Sequence, residues 1–201
     1  MYRYRGIKIS GERIEPVGSR EGTDLLILAG SKSVWSDYIQ ARTFFKKYDI
    51  MCINDIGGVF KAEPIQHIVS LHAALCEPLR ILRQHKGMLE HVITHSYKHK
   101  PGVQVCWDGV QEGSESGNLA VRIALLMGYE RIILCGISLD NQGHFFDPED
   151  PTINSTSVFN RREDARSWTK LAEKPELKNR IKAISGALSS IYGNPTEEWS
   201  K

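Results

Sequence analysis

Ser114-Glu115-Ser116-Gly117-Asn118-Leu119-Ala120-Val121-Arg122-Ile123-Ala124-Leu125-Leu126-Met127-Gly128-Tyr129-Glu130-Arg131-Ile132-Ile133-Leu134-Cys135-Gly136-Ile137-Ser138-Leu139-Asp140 reads as a polar cap, an apolar helix, a glycine stop, an apolar strand and a polar loop. In an α/β protein the helix N-terminus and the strand's carboxyl end both face the ligand crevice. The stretch therefore places Ser114, Ser116, Gly117 and Asn118 close to Ser138 and Asp140. Small hydroxyl residues and bare amides in a crevice suit a phosphate or a sugar rather than an apolar ligand.

Outward from this block, strand and helix patterns alternate. Asp24–Gly30 is an apolar run ending in glycine, as a central parallel strand does. Val34–Lys47 has helical spacing, with Trp35, Tyr38, Ile39, Phe44 and Phe45 as apolar anchors. Asp49–Asp55 reads as a second strand closed by Gly57-Gly58, and Gln66–His72 as a third. Ala73–His85 reads as a helix interrupted near Pro78. His91–Thr94 and Val103–Trp107 read as two short strands. Asn160–Leu171 is helical in pattern, and Arg180–Ile184 is a last strand before a short helix through Ile191. A short edge hairpin is expected around Ser10-Gly11. Such alternation means a mostly parallel sheet with helices on both faces. The expected fold is α/β, a single Rossmann-like domain over residues 1–201. The polar stretch 141–160 is expected to form a mobile lid loop, too long for an ordinary turn.

The 201 residues are 41% hydrophobic and 25% charged, with a net charge of +2, as in a soluble globular protein. That charge is no strong field for nucleic acid, although His91, His95, Lys98, His99 and Lys100 form a local basic cluster. No apolar run is long enough to span a bilayer. Met1–Ser10 is basic without an apolar core segment and is not read as a signal peptide. Cys52, Cys76, Cys106 and Cys135 form no C-x-x-C pair and lie mostly in apolar runs, as reduced buried thiols do. A cytoplasmic location is expected.

Gly30-Ser31-Lys32-Ser33 lies where the first strand turns into the first helix. Gly30 allows close backbone approach, and Ser31 or Ser33 either caps the helix or binds an oxyanion. The pattern is neither the dinucleotide fingerprint nor the P-loop. Leu28-Ala29-Gly30-Ser31-Lys32-Ser33 resembles the first-strand loop of the DUF115 group, which contains the MptE-like 6-hydroxymethylpterin pyrophosphokinase domains. It is also similar to the related loop of the glycosyltransferase family 42 sialyltransferases. Cys52-Ile53-Asn54-Asp55 resembles the end of their second strand. Ser116-Gly117 with Ala124–Leu139 resembles their serine-glycine, helix, glycine-tyrosine, strand segment. Ile184-Ser185-Gly186-Ala187-Leu188 resembles their final strand-to-loop segment. The resemblance implies a Rossmann-like fold with a nucleotide held between the first-strand loop and the serine-glycine helix start. In the sialyltransferases the nucleotide is a CMP-sugar, and in the pyrophosphokinases it is ATP. Two positions depart from the pattern. No histidine occurs from Asp147 to Lys201, where the sialyltransferases carry a lid base, and Ser138 replaces their aspartate.

The expected function is therefore transfer from a nucleotide-activated donor, glycosyltransferase-like. Gly30, Ser31 and Ser33 would cradle phosphate, Asn54 would bind ribose or sugar, and Ser116 and Gly117 would receive the leaving phosphate, with Asn118 beside them in the binding set. Ser138 and Ser185 complete the binding set, and Asp140 and His144 would orient or deprotonate the acceptor. That reading needs no cofactor. A pyrophosphokinase alternative would place Mg2+ on Asp140 and Asp147, in a loop that also holds Glu149 and Asp150. A non-catalytic nucleotide-binding module is the third reading. Arg161 and Arg162 could close onto phosphate or simply begin a helix. His91, His95 and His99 recur every four residues, but their β-branched surroundings speak against a helical metal face. His67 and His72 either face the crevice or end a strand. Trp107 either stacks on a base or sugar ring or closes the core. The expected partner is a nucleotide or nucleotide-sugar ligand; a homo-oligomer stays open.

Overall fold

A parallel strand covered on both faces has no polar side, so its apolar residues divide alternately between two cores. The strands here do this. Leu25, Ile27, Met51, Ile53, Ile132 and Leu134 enter one core, and Leu26, Leu28, Ile50, Cys52, Ile133 and Cys135 the other. The computed structural model describes residues 7–8, 18–88, 91–110, 115–139, 143–147 and 161–201. In chain order the elements are β1 (Ile7–Lys8), β2 (Asp24–Leu28), α1 (Val34–Ala41), β3 (Tyr48–Ile53), α2 (Ile56–Val59), β4 (His67–Val69), α3 (Cys76–His85), β5 (Ile93–Ser96) and β6 (Val105–Cys106). They continue with α4 (Ser116–Met127), β7 (Ile132–Cys135), α5 (Arg161–Ala172), α6 (Pro175–Arg180), β8 (Ile181–Ala183) and α7 (Gly186–Tyr192).

The strands form one eight-stranded sheet in the order β1-β6-β5-β4-β3-β2-β7-β8. Neighbours from β6 to β8 pair in parallel, and β1 alone runs antiparallel, against β6. This is the expected α/β Rossmann-like architecture. The chain progresses outward from β2 through β6, then returns to the other side of β2 with β7. Loops after β2 and β7 thus flank the switch point where such sheets bind ligands. Gly128, at φ +94°, ends α4 in a left-handed conformation, and the Tyr129 N–H returns to the Ala124 carbonyl at 3.2 Å.

Several boundaries differ from expectation. α1 ends at Ala41 rather than Lys47, and Trp35 and Ile39 are 42% and 65% exposed. The buried stripe runs through Val34, Tyr38 and Ala41, with Asp37 beside it, so those two apolar residues fall on the outer face. Pro78 does not interrupt α3, because it sits in the first turn where its missing N–H costs nothing. Gly57-Gly58 lies within α2, where a Cβ would come within 2.9 Å of Ile68 and 2.8 Å of Leu82. α6 is an element the polar sequence did not announce. The expected hairpin at Ser10-Gly11 lies outside the described residues, and the neighbouring β1 pairs with β6. Of the expected lid, only 143–147 is described.

Candidate functional site

Three polar groupings occupy loops at the sheet's carboxyl edge. The first is built on Asp37, a residue the sequence reading passed over. Its position in the first turn of α1 buries it to 3% exposure. One carboxylate oxygen accepts the Ser33 hydroxyl at 3.0 Å, the Ser185 hydroxyl at 2.7 Å and the Gly136 N–H at 2.8 Å. Loops after β2, β7 and β8 are thereby tied to one buried charge. Ser31 Oγ lies 3.1 Å from Ser33 Oγ and accepts the Ser33 N–H at 3.3 Å. The expected phosphate cradle of Ser31 and Ser33, with Ser185, is thus brought together around an anion already present. Its hydroxyl protons on Ser33 and Ser185 point at Asp37. Ser138 is buried as well, and its carbonyl accepts the Ala187 N–H at 2.9 Å. Gly186, at φ +69°, admits that approach, since a Cβ there would lie 2.4 Å from the Ser138 backbone.

The second grouping centres on His144. Ser31 bridges to His144, and the Phe145 N–H donates to the Gly30 carbonyl at 2.8 Å. His144 Nδ1 lies 3.2 Å from the same carbonyl. A carbonyl only accepts, so Nδ1 is the donor in this contact. Gly30 makes the contact sterically feasible, because a Cβ there would sit 2.9 Å from Nδ1. Asp147 accepts the His144 N–H at 2.7 Å. Asp140, Ser114, Glu149 and Asp150 lie outside the described residues, as do the side chains of Arg161 and Arg162. Among the described residues no group of three or more His, Cys, Asp and Glu is placed to hold a metal ion.

The third grouping joins the ends of β3 and β4 to the start of α4. Asn54 adopts φ +52°, a left-handed conformation that asparagine tolerates. Its Oδ1 accepts the Ser70 hydroxyl at 2.8 Å and the Ser116 hydroxyl at 3.3 Å. Ser116 Oγ also accepts the Leu71 N–H at 3.0 Å. Asn54 Nδ2 has no hydrogen-bond partner among the described residues. Among the described residues no side chain caps the start of α4, although Ser116 is only 7% exposed. A buried helix start normally satisfies its leading N–H groups with a cap or a ligand. α5 packs beside Gly117 and Asn118. A Cβ on Gly117 would meet the Trp168 ring at 3.2 Å, and Asn118 bonds Arg122 at 2.6 Å and Ser167 at 3.4 Å. Gly30 and Asn54 each lie two residues beyond the register pair Leu28 and Cys52. The second and third groupings therefore follow the ends of neighbouring strands.

Beneath the third grouping runs a buried relay. Trp107 Nε1 donates to His95 Nδ1 at 3.0 Å, and His95 Nε2 lies 3.0 Å from His67 Nδ1. His67 Nε2 lies 2.8 Å from the Tyr129 hydroxyl, which donates to Asp49 at 2.7 Å. Arg20 pairs with Asp49 at 3.2 Å. Burial, with Arg20 adding to it, holds His95 down to about 3. Burial first, then His95 and Arg20, holds His67 well below its ordinary value. Both rings are neutral. The expected alternatives for these residues resolve accordingly. His67 faces this core rather than the crevice, Trp107 is a core residue at 2% exposure, and His95 is buried while His91 and His99 are exposed. His72 is exposed beyond β4. All four thiols are buried and free, and burial pushes Cys52 and Cys76 up to about 12.

No protein-family model matches the chain, and no curated protein matches it by sequence. Its fold is similar to that of the sialyltransferase CstII from Campylobacter jejuni in complex with the substrate analogue CMP-3FNeuAc. The TM-score is 0.64 at 13% identity, covering 89% of this chain and 88% of that one. The same enzyme with cytidine-5′-monophosphate gives 0.62 at 13% identity, with 88% and 86% covered. At such identity the likeness speaks to the fold alone. No helix among the described residues is long and apolar enough to cross a membrane.

Proposed function

We propose that this protein is a transferase acting on a nucleotide-activated donor, of the glycosyltransferase-like kind. The observation that carries the reading is the buried start of α4, without a side-chain cap among the described residues and joined through Ser116 to Asn54. The leading N–H groups and positive end of this helix suit the donor phosphate, and the Asn54 amide suits a ribose or sugar hydroxyl. Likeness in fold to a sialyltransferase solved with a CMP-sugar analogue supports the same reading, as do the residues that resemble the DUF115 and family 42 proteins. In the transfer, the acceptor oxygen bonds to the anomeric carbon as the bond from that carbon to the phosphate oxygen breaks. The electron pair leaves on the phosphate, where the α4 start stabilises the growing charge. The acceptor proton passes to His144 Nε2, with Nδ1 fixed by the Gly30 carbonyl. Asp140 would orient the acceptor.

Thermal unfolding with CMP, a CMP-sugar, a UDP-sugar and ATP with Mg2+ tests the reading, because a ligand of the native state raises the midpoint. A shift with the CMP or UDP compounds, and a transfer product found by mass spectrometry, is the expected result. A shift with ATP and Mg2+ alone favours the pyrophosphokinase reading. Protection without any product favours a non-catalytic binding module. No shift with any nucleotide ends the proposal.

A further inference from the structure

The buried relay has a polarity that can be read from its two ends. An indole N–H only donates, so His95 Nδ1 must be an acceptor. A neutral His95 then carries its proton on Nε2 and gives it to His67 Nδ1, 3.0 Å away. A neutral His67 likewise carries its proton on Nε2 and donates to the Tyr129 oxygen, 2.8 Å away. Tyr129 donates onward to Asp49, an acceptor at the far end. Every hydrogen in the chain points the same way, from Trp107 to Asp49, and only one pair of tautomers allows it.

The Trp107 end does not stop in the core. The Trp107 N–H donates to the Ser96 carbonyl at 2.8 Å, and the Ser96 hydroxyl donates to the Ser70 carbonyl at 2.7 Å. The Ser70 N–H donates to the His95 carbonyl at 3.1 Å, and the Ser70 hydroxyl reaches Asn54 Oδ1 at 2.8 Å. Asn54 Oδ1 is also where Ser116 is held. A continuous path thus leads from the Asp49–Arg20 pair at the amino edge of β3 to the Asn54–Ser116 pair at its carboxyl edge. Parity makes this feasible. His67, Val69, Ile93, His95 and Val105 occupy alternate positions on paired strands and share one face of the sheet.

We propose that Trp107, His95, His67 and Tyr129 form a one-way hydrogen-bonded strut that positions Asn54 and Ser116 for the ligand. The four are positioning residues, and their role rests on the nucleotide reading of that pair. A satisfied chain of fixed polarity locks ring orientations that an apolar core would leave to packing alone.

Long-range proton–nitrogen NMR on the whole chain at neutral pH reads the polarity without any variant. Both histidines are expected as neutral Nε2–H tautomers, and an Nδ1–H tautomer or a charged ring at either position overturns the proposal. The positioning arm uses W107F, Y129F, H95L and H95Q, with CMP as the probe. Loss of a link in W107F, Y129F or H95L is expected to shift the Asn54 side-chain amide signal. It should also weaken CMP binding by about threefold to tenfold, the size of effect seen along coupled networks. H95Q can accept from Trp107 and donate to His67, so it should restore both readouts. I123V, a substitution in the same core but off the path, should move neither. If wild-type protein binds no CMP, the nucleotide that raises its unfolding midpoint replaces CMP as the probe; if none does, the nucleotide reading has failed, and the strut is judged on the tautomers and the Asn54 amide signal alone. An Asn54 signal unchanged in Y129F and W107F overturns the strut even where CMP binds.

Discussion

Around Asp37, Ser33 and Ser185 donate to a buried carboxylate; around Asn54, Ser70 and Ser116 donate to a neutral amide oxygen. Both junctions lie where parallel strands end, and both are built from serine and a small polar partner. Their consequences for an anionic ligand differ. The first junction already holds a negative charge, with three donors turned to one carboxylate oxygen. The second leaves an amide nitrogen and the N–H groups of a buried helix start without side-chain partners. Serine at a strand end is therefore no guide to phosphate binding until its acceptor is known.

The largest effect expected is on the support beneath the second junction. Burial lowers the pKa values of His67 and His95, so their contribution to stability is fully present above about pH 6.5. It falls as the pH drops toward the native value, about 3 for His95. In that range the unfolded chain takes up protons that the native rings refuse, at up to about 1.4 kcal/mol per pH unit for each histidine. Urea unfolding from pH 7 to pH 5 should therefore show a steep loss that the double variant H67L/H95L lacks. A parallel pH profile in the two proteins would refute the neutral pair.

Next in size is D37A, which strands three donors, including the buried Gly136 N–H. It should cost about 3 kcal/mol in urea unfolding. A cost under about 1 kcal/mol would mean that the three loops hold their places without the carboxylate. S116A separates the junctions by function. It should weaken CMP binding about tenfold, equivalent to about 1.4 kcal/mol, in a calorimetric titration. S33A removes only one spoke of the Asp37 junction. It should lower stability by about 1 kcal/mol and leave CMP affinity unchanged. Equal losses of affinity in S116A and S33A would erase the contrast between the two regions.

The 116–140 block was legible because its signals are local. An apolar helix, a glycine that accepts positive φ and a four-residue buried strand follow one another without help from distant chain. Ser116 and Asn54, chosen separately as ligand residues, do meet, although 62 positions separate them. His144 does reach the Gly30 turn. Asp37 was missed because it sits in an amphipathic helix where an acidic first-turn residue usually means only a favourable dipole contact. Trp168 and Ser167 of α5 pack beside Gly117 and Asn118, a contact that local pattern did not show. α5 begins more than forty residues downstream, and nothing in the block itself announces it.

What the sequence determined unaided is the order and type of most elements, α2 and α6 excepted, and the two-faced apolar alternation that makes a parallel sheet. Those depend on residues within a few positions of one another, and hydrophobic periodicity reports them directly. Only the tertiary structure decided which polar group answers which. Strand register and the return of β7 beside β2 set those pairings, so Ser33 meets a carboxylate, Ser116 meets an amide, and His67 meets Tyr129. A hydroxyl or an imidazole carries no preference among such partners in its own code. Its role follows from the neighbour that packing delivers to within 3 Å or so.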